Sequence, residues 1–149
     1  MPSDRTHRLL VLVSGALLAF WVVAGLIAAW QDWPAEFGTT ASDDPHDAVG
    51  WILHGSLIHA PLPPLAVQLV ATGLLLVRRR GWQIAGAAGL GLLSLLYLVG
   101  HLGEPLLQPE RSDPPLVAYV PIRVLGVSLV LAMLVLSALV VGAAVRRRA

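Results

Sequence analysis

The sequence predicts an all-α membrane protein, a four-transmembrane-helix antiparallel bundle with both termini on the cytoplasmic side. Three observations predict it. Of 149 residues, 56% are hydrophobic and only 13% charged, with a mean hydropathy of +0.75; soluble domains carry about a quarter charged residues. The apolar residues form four runs near residues 9–30, 50–77, 83–103 and 121–145, each long enough for a hydrocarbon core of about 30 Å. The charges, finally, are sorted by connection. All ten basic side chains are arginine, and eight of them (Arg5, Arg8, Arg78–Arg80, Arg146–Arg148) lie at the two ends and between the second and third runs. Eight of the nine acids lie in the other two connections. Basic residues favour the cytoplasmic face, which places both termini inside the cell and the protein in the cell membrane as a multi-pass chain. Four spans leave only short connections, so one domain over 1–149 is expected.

Span one, Leu9–Trp30, is about 33 Å long at helical rise. Gly15/Ala19 and Gly25/Ala29 are small pairs four residues apart, spaced to admit a neighbouring helix. Trp30 and Trp33 stand where an interfacial aromatic belt belongs. A secretory leader is the competing reading, but the apolar stretch is too long and lacks a convincing small-x-small cleavage site followed by a soluble domain.

Span two is the most structured in sequence. From Pro45 to Val77 a straight helix would measure about 50 Å, more than a bilayer core accommodates. Pro61, Pro63 and Pro64 each remove a backbone donor, so the helix is expected to be kinked or broken at Pro61–Pro64. Pro45–Ala60 then reads as an outer, partly interfacial helix and Pro61–Val77 as the crossing part. Gln68 and Thr72 fall in that part, one helical turn apart, and polar groups at such depth turn into the bundle.

A tight cytoplasmic turn is expected over Arg78–Trp82, with Gly81 as its flexible residue. Span three, Gln83–Gly103, opens on the small-residue run Ala85–Gly91, where backbones could nearly touch. Leucine at Gly89 would overpack it. Its second half carries Ser94, Tyr97 and His101 three and four residues apart, a polar stripe on one face. Glu104–Val120 reads as an outer loop. Span four, Pro121–Val145, starts with proline in its first turn, and Arg123 is placed to snorkel to the outer headgroups.

Composition excludes several chemistries. Without cysteine there are no disulfides, thiolate metal sites or iron–sulfur clusters, which removes quinone-linked thiol oxidoreductases. No phosphate-binding glycine loop, nucleophile elbow or carboxylate pair lies within a span, so an enzyme is disfavoured and no catalytic residue is assigned. The arginine clusters abut apolar runs, which argues for anionic lipid headgroups as partners and against nucleic acid. Other membrane subunits, or a second copy, are the remaining partners expected.

Depth brings the polar residues together. His59 lies 19 residues before Arg78, and His101 lies 19 residues after Trp82. On antiparallel neighbours both imidazoles would reach similar depth near the outer surface, with His54 about 7 Å further out and Glu104 and Arg123 in the same layer. Two facing histidines could ligate b-type haem. His54, His59, His101 and Glu104 could instead hold zinc or copper, or the group could handle an anion or protons in an oligomeric transporter. The stretch His46–Trp51 (H-D-A-V-G-W) and the four-span layout resemble small four-helix b-type cytochrome-like membrane proteins. In those, an H-x-x-L-G start to an inward helix supplies a haem ligand. Here valine replaces leucine, and Ile122 or Arg123 stands where the second such histidine would be, so the resemblance implies His101 as partner ligand. A non-enzymatic accessory subunit, packed beside a larger membrane complex, is the function the sequence favours over these alternatives.

Overall fold

The computed structural model describes residues 4–30, 62–107 and 116–146, and among these the chain is helical apart from the turns. Four helices follow one another: α1 Asp4–Trp30, α2 Leu62–Leu76, α3 Arg80–Leu107 and α4 Leu116–Val145. Three stretches are long and apolar enough to cross a membrane, Arg5–Leu26, Arg80–Gly100 and Val120–Val145. At 15 residues, α2 is about 22 Å long at helical rise, short of a bilayer core unless residues before it contribute.

Local chemistry explains the boundaries. Pro63 and Pro64 stand in the first turn of α2, where their missing N–H groups would have had no helical partner anyway. The break expected at Pro61–Pro64 falls at the edge of the described residues, which resume at Leu62, and the segment Pro45–Ala60 lies outside them. At the far end of α2, Val77 N donates to Leu74 O at 3.3 Å, closing the last turn. Arg79 O then accepts from Trp82 N and Gln83 N at 3.0 and 3.2 Å, which starts α3.

Three boundaries differ from those read in the sequence. The reversal occupies residues 77–79, and Gly81 lies inside α3; a helix start capped by Arg79 O needs no glycine freedom. Glu104 is within α3, which continues to Leu107. Pro121 is the sixth residue of α4 rather than its first-turn opener. It removes the hydrogen bond to Val117 O, and the helix starts before it because Leu116–Val120 is itself apolar and helix-compatible.

The helices pack in a ring. Contacts join α1 to α2, α2 to α3, α3 to α4 and α4 back to α1. Their order shows alternating directions. Ser14 meets Gln68 and Thr72, while seven residues on Trp21 meets Tyr97. Gly126 lies against Phe20 and Trp21, whereas Met133 lies at the level of Gln68 and Ser14. Ascending numbers on α1 thus meet descending numbers on α4, as expected for an antiparallel bundle.

Burial within the bundle recurs at intervals of four and three. On α1 the buried positions are 10, 14, 17, 21, 24 and the adjacent 25; on α4 they are 126, 130, 133, 137, 140 and 144. That is a 3.5-residue repeat, the spacing that keeps one seam toward a neighbour in left-handed, small-angle packing. The outside is apolar: Leu12, Leu26, Leu69, Leu92 and Val99 are each more than 60% exposed. Polar residues, among them Ser14, Gln68, Thr72 and Ser94, are buried instead. Such an inside-out distribution suits hydrocarbon as the surrounding medium.

The small-residue run of α3 is at helix contacts. A Cβ added at Gly86 would lie 2.6 Å from Ala71 O and 3.1 Å from Leu74 Cβ, so α2 and α3 touch backbone to backbone there. Gly89 faces Ala71 Cβ and Gly91 faces Ser137 Cβ, at 3.5 and 3.4 Å from an added Cβ. Gly15 differs: it is exposed, with nothing within 4 Å. The Gly15/Ala19 face therefore meets no other helix among the described residues.

Candidate functional site: a polar cluster in the bundle core

Lipid cannot satisfy a buried polar group, so each such group must find a partner inside the bundle. Gln68 does this for three helices. Its side chain is fully buried on α2. Nε2 donates to Ser14 O of α1 at 3.1 Å and approaches Ser14 Oγ at 3.4 Å, and Oε1 accepts from Tyr97 OH of α3 at 3.1 Å. Met133 Sδ of α4 lies 4.0 Å from the same Nε2. One amide thus touches all four helices.

A second strand of bonding runs through the hydroxyls. Thr72 Oγ1 donates to Gln68 O one turn back at 2.7 Å. A hydroxyl carries one proton, so in the 2.7 Å Ser14–Thr72 contact Ser14 Oγ is the donor. Each hydroxyl donor of the cluster is thereby used. Just outside it, Ser94 Oγ bonds back to Leu90 O at 2.7 Å within α3.

Aromatic packing closes the cluster toward the end bearing α1's C-terminus. The rings of Trp21 and Tyr97 are 5.5 Å apart and tilted, and Phe20 meets Trp21 edge-on at 5.1 Å. Side chains on a helix lean toward its N-terminus, so Tyr97 on α3 reaches down toward Gln68. Gly126 leaves room for this layer, since an added Cβ would lie 3.0 Å from Phe20 Cε1.

Of the residues singled out in the sequence, the structure brings Gln68, Thr72 and Tyr97 together. Arg123 is half-buried on α4, one turn beyond the Gly126 contact. His101 and Glu104 belong to the last two turns of α3, with side chains outside the described residues. His54 and His59 lie wholly outside them. The haem and metal pairings built on these residues therefore fall outside what the structure describes. Among the described residues no three His, Asp or Glu side chains gather as a metal site would require.

Ser14 and Met133 were not legible as members. The only signal for Ser14 was a lone hydroxyl in a 22-residue apolar span, which is as compatible with a back-bonded serine as with a partner on another helix. Ser137 shows the reverse case: it is buried, yet its Oγ has no hydrogen-bond partner among the described residues. At the Gly91 crossing it is the small volume of serine that matters.

Chemically the cluster is neutral. It holds an amide, two aliphatic hydroxyls and a phenol, each engaged with another, and the described buried residues include no charged side chain. No base stands beside a hydroxyl to activate it. The arrangement suits holding helices in register.

No protein-family model, characterised protein or solved structure matches the chain.

Proposed function

We propose that the chain is a multi-pass integral protein of the cell membrane, one four-span bundle with both termini cytoplasmic, that serves as a non-enzymatic accessory subunit packed beside a larger membrane complex. One observation carries this reading: the polar interior is spent on bonds between the protein's own helices, with no charged group among the described buried side chains. A transport path or proton relay would require ionisable groups lining a wet interior. The open face around Gly15 supports the accessory role, because small residues there would admit a helix that none of the described helices supplies.

A photo-crosslinker placed at Ala19 on that face should yield one discrete heavier adduct in native membranes, whereas one at Leu92, on an apolar outer face, should yield only lipid adducts. Lipid adducts at both positions would defeat the accessory role. The alternative, b-type haem between His59 and His101, is decided by colour: a Soret band in the purified protein that disappears with both histidines replaced by alanine would establish it. Bound zinc or copper lost with His54, His59, His101 and Glu104 would establish the metal reading.

A further inference from the structure

Beyond the accessory role, we propose that the bundle end formed by the start of α1, the α2–α3 turn and the end of α4 is a binding surface for anionic phospholipid headgroups. The alternating helix directions bring these three segments to one end, although they are far apart in sequence. Arg5, Arg8, Arg78, Arg79, Arg80 and Arg146 are all exposed there. None of the six has an ion-pair partner among the described residues. Among the described residues the positive charge is neither buried nor internally neutralised, and it is drawn from the start of α1, the α2–α3 turn, the start of α3 and the residue after α4.

Depth selects the kind of anion. Leu9, Leu76, Val77 and Val145 lie next to or within two residues of these arginines and are exposed, as is Trp82. Exposed apolar side chains with an interfacial tryptophan mark the edge of the hydrocarbon, so the guanidinium groups stand at headgroup level. A nucleic acid would have to enter the headgroup layer to reach them. Residue type points the same way. A topology signal needs only positive charge, yet all ten basic residues are arginine, whose planar fork pairs with two phosphate oxygens at once.

The test uses the full chain purified in detergent and exposed to equimolar phosphatidylglycerol and phosphatidylcholine, with retained lipids counted by native mass spectrometry. The wild type should retain phosphatidylglycerol preferentially. Each arginine removed should weaken that preference about fivefold, so R5Q/R8Q and R78Q/R79Q/R80Q should both lose most of it while keeping wild-type helicity. A preference that survives both variants overturns the proposal. Should either variant misfold, raised salt on the wild type provides the second measurement: loss of preference supports a surface charge contact, and persistence overturns it. Soluble glycerol 3-phosphate should not compete at the lipid's concentration; competition there would overturn the lipid surface in favour of a small-anion site.

Discussion

At the scale of single residues, Gln68 is the side chain whose loss should be felt most. Replacement by alanine strands Tyr97 OH and removes the donor to Ser14 O, and a stranded buried group costs more than a bond is worth. Q68A should lower stability by about 1–2 kcal/mol, read as the shift of an SDS titration followed by helicity. Y97F strands one acceptor, Gln68 Oε1, where Q68A loses two bonds, and should cost less, about 0.6 kcal/mol. In the double variant the Tyr97 term should vanish, because its acceptor is already gone. Strictly additive losses would mean the 3.1 Å bond contributes nothing. S137A should be neutral within about 0.5 kcal/mol, since that hydroxyl has no partner among the described residues.

At the scale of elements, the contact between α2 and α3 is the most demanding. G86A places a methyl group 2.6 Å from the Ala71 carbonyl oxygen, and backbone cannot yield as a side chain can. The helices must separate, at a cost of about 1–3 kcal/mol. G89A puts its methyl at an ordinary 3.5 Å from Ala71 Cβ and should be tolerated, while Gly89→Leu has no room and should destabilise. Gly15→Ala should leave the isolated bundle unchanged, because the space is open. Melting temperatures of the four variants in one detergent check the ranking. Equal stability of G86A and G15A would show that α2 and α3 do not touch as closely as described. This contact matters beyond its area, since α2 is the shortest of the described helices and the amide near its centre holds it to the others.

At the scale of the molecule, what has to be explained is an inside-out protein. Leucine and valine cover the outside as well as much of the core, while Ser14, Gln68, Thr72, Ser94 and Ser137 are buried. In lipid no hydrophobic force drives helices together, so cohesion falls to close small-residue crossings and interhelix hydrogen bonds, the two features found here. Orientation follows the arginines: eight on one side against two on the other should hold both termini inside. Cysteines introduced at Ala41 and Ser112, in the two acid-rich connections, should react with an impermeant label in intact cells. Reaction only after lysis would reverse the orientation.

Three of the four expected spans were legible in the sequence because transfer into lipid is nearly additive over residues: a run such as Val120–Val145 declares itself whatever its neighbours are. The small run Ala85–Gly91 and the polar pair Gln68/Thr72 were legible for a related reason, since lipid gives neither small nor polar residues much cause to be there. Which face of α1 and α4 turns inward was not. With leucine and valine on all sides, hydrophobicity carries no direction, so the four-three burial repeat of α1 and α4 emerges only when the helices meet. The same holds for partners. Gly15/Ala19 and Gly86 look alike as small residues, yet one faces out and the other abuts a carbonyl. Ser14 finds Gln68 and Thr72 across 54 and 58 residues of chain, a pairing that hydrogen-bond geometry between packed helices decides and no local pattern encodes.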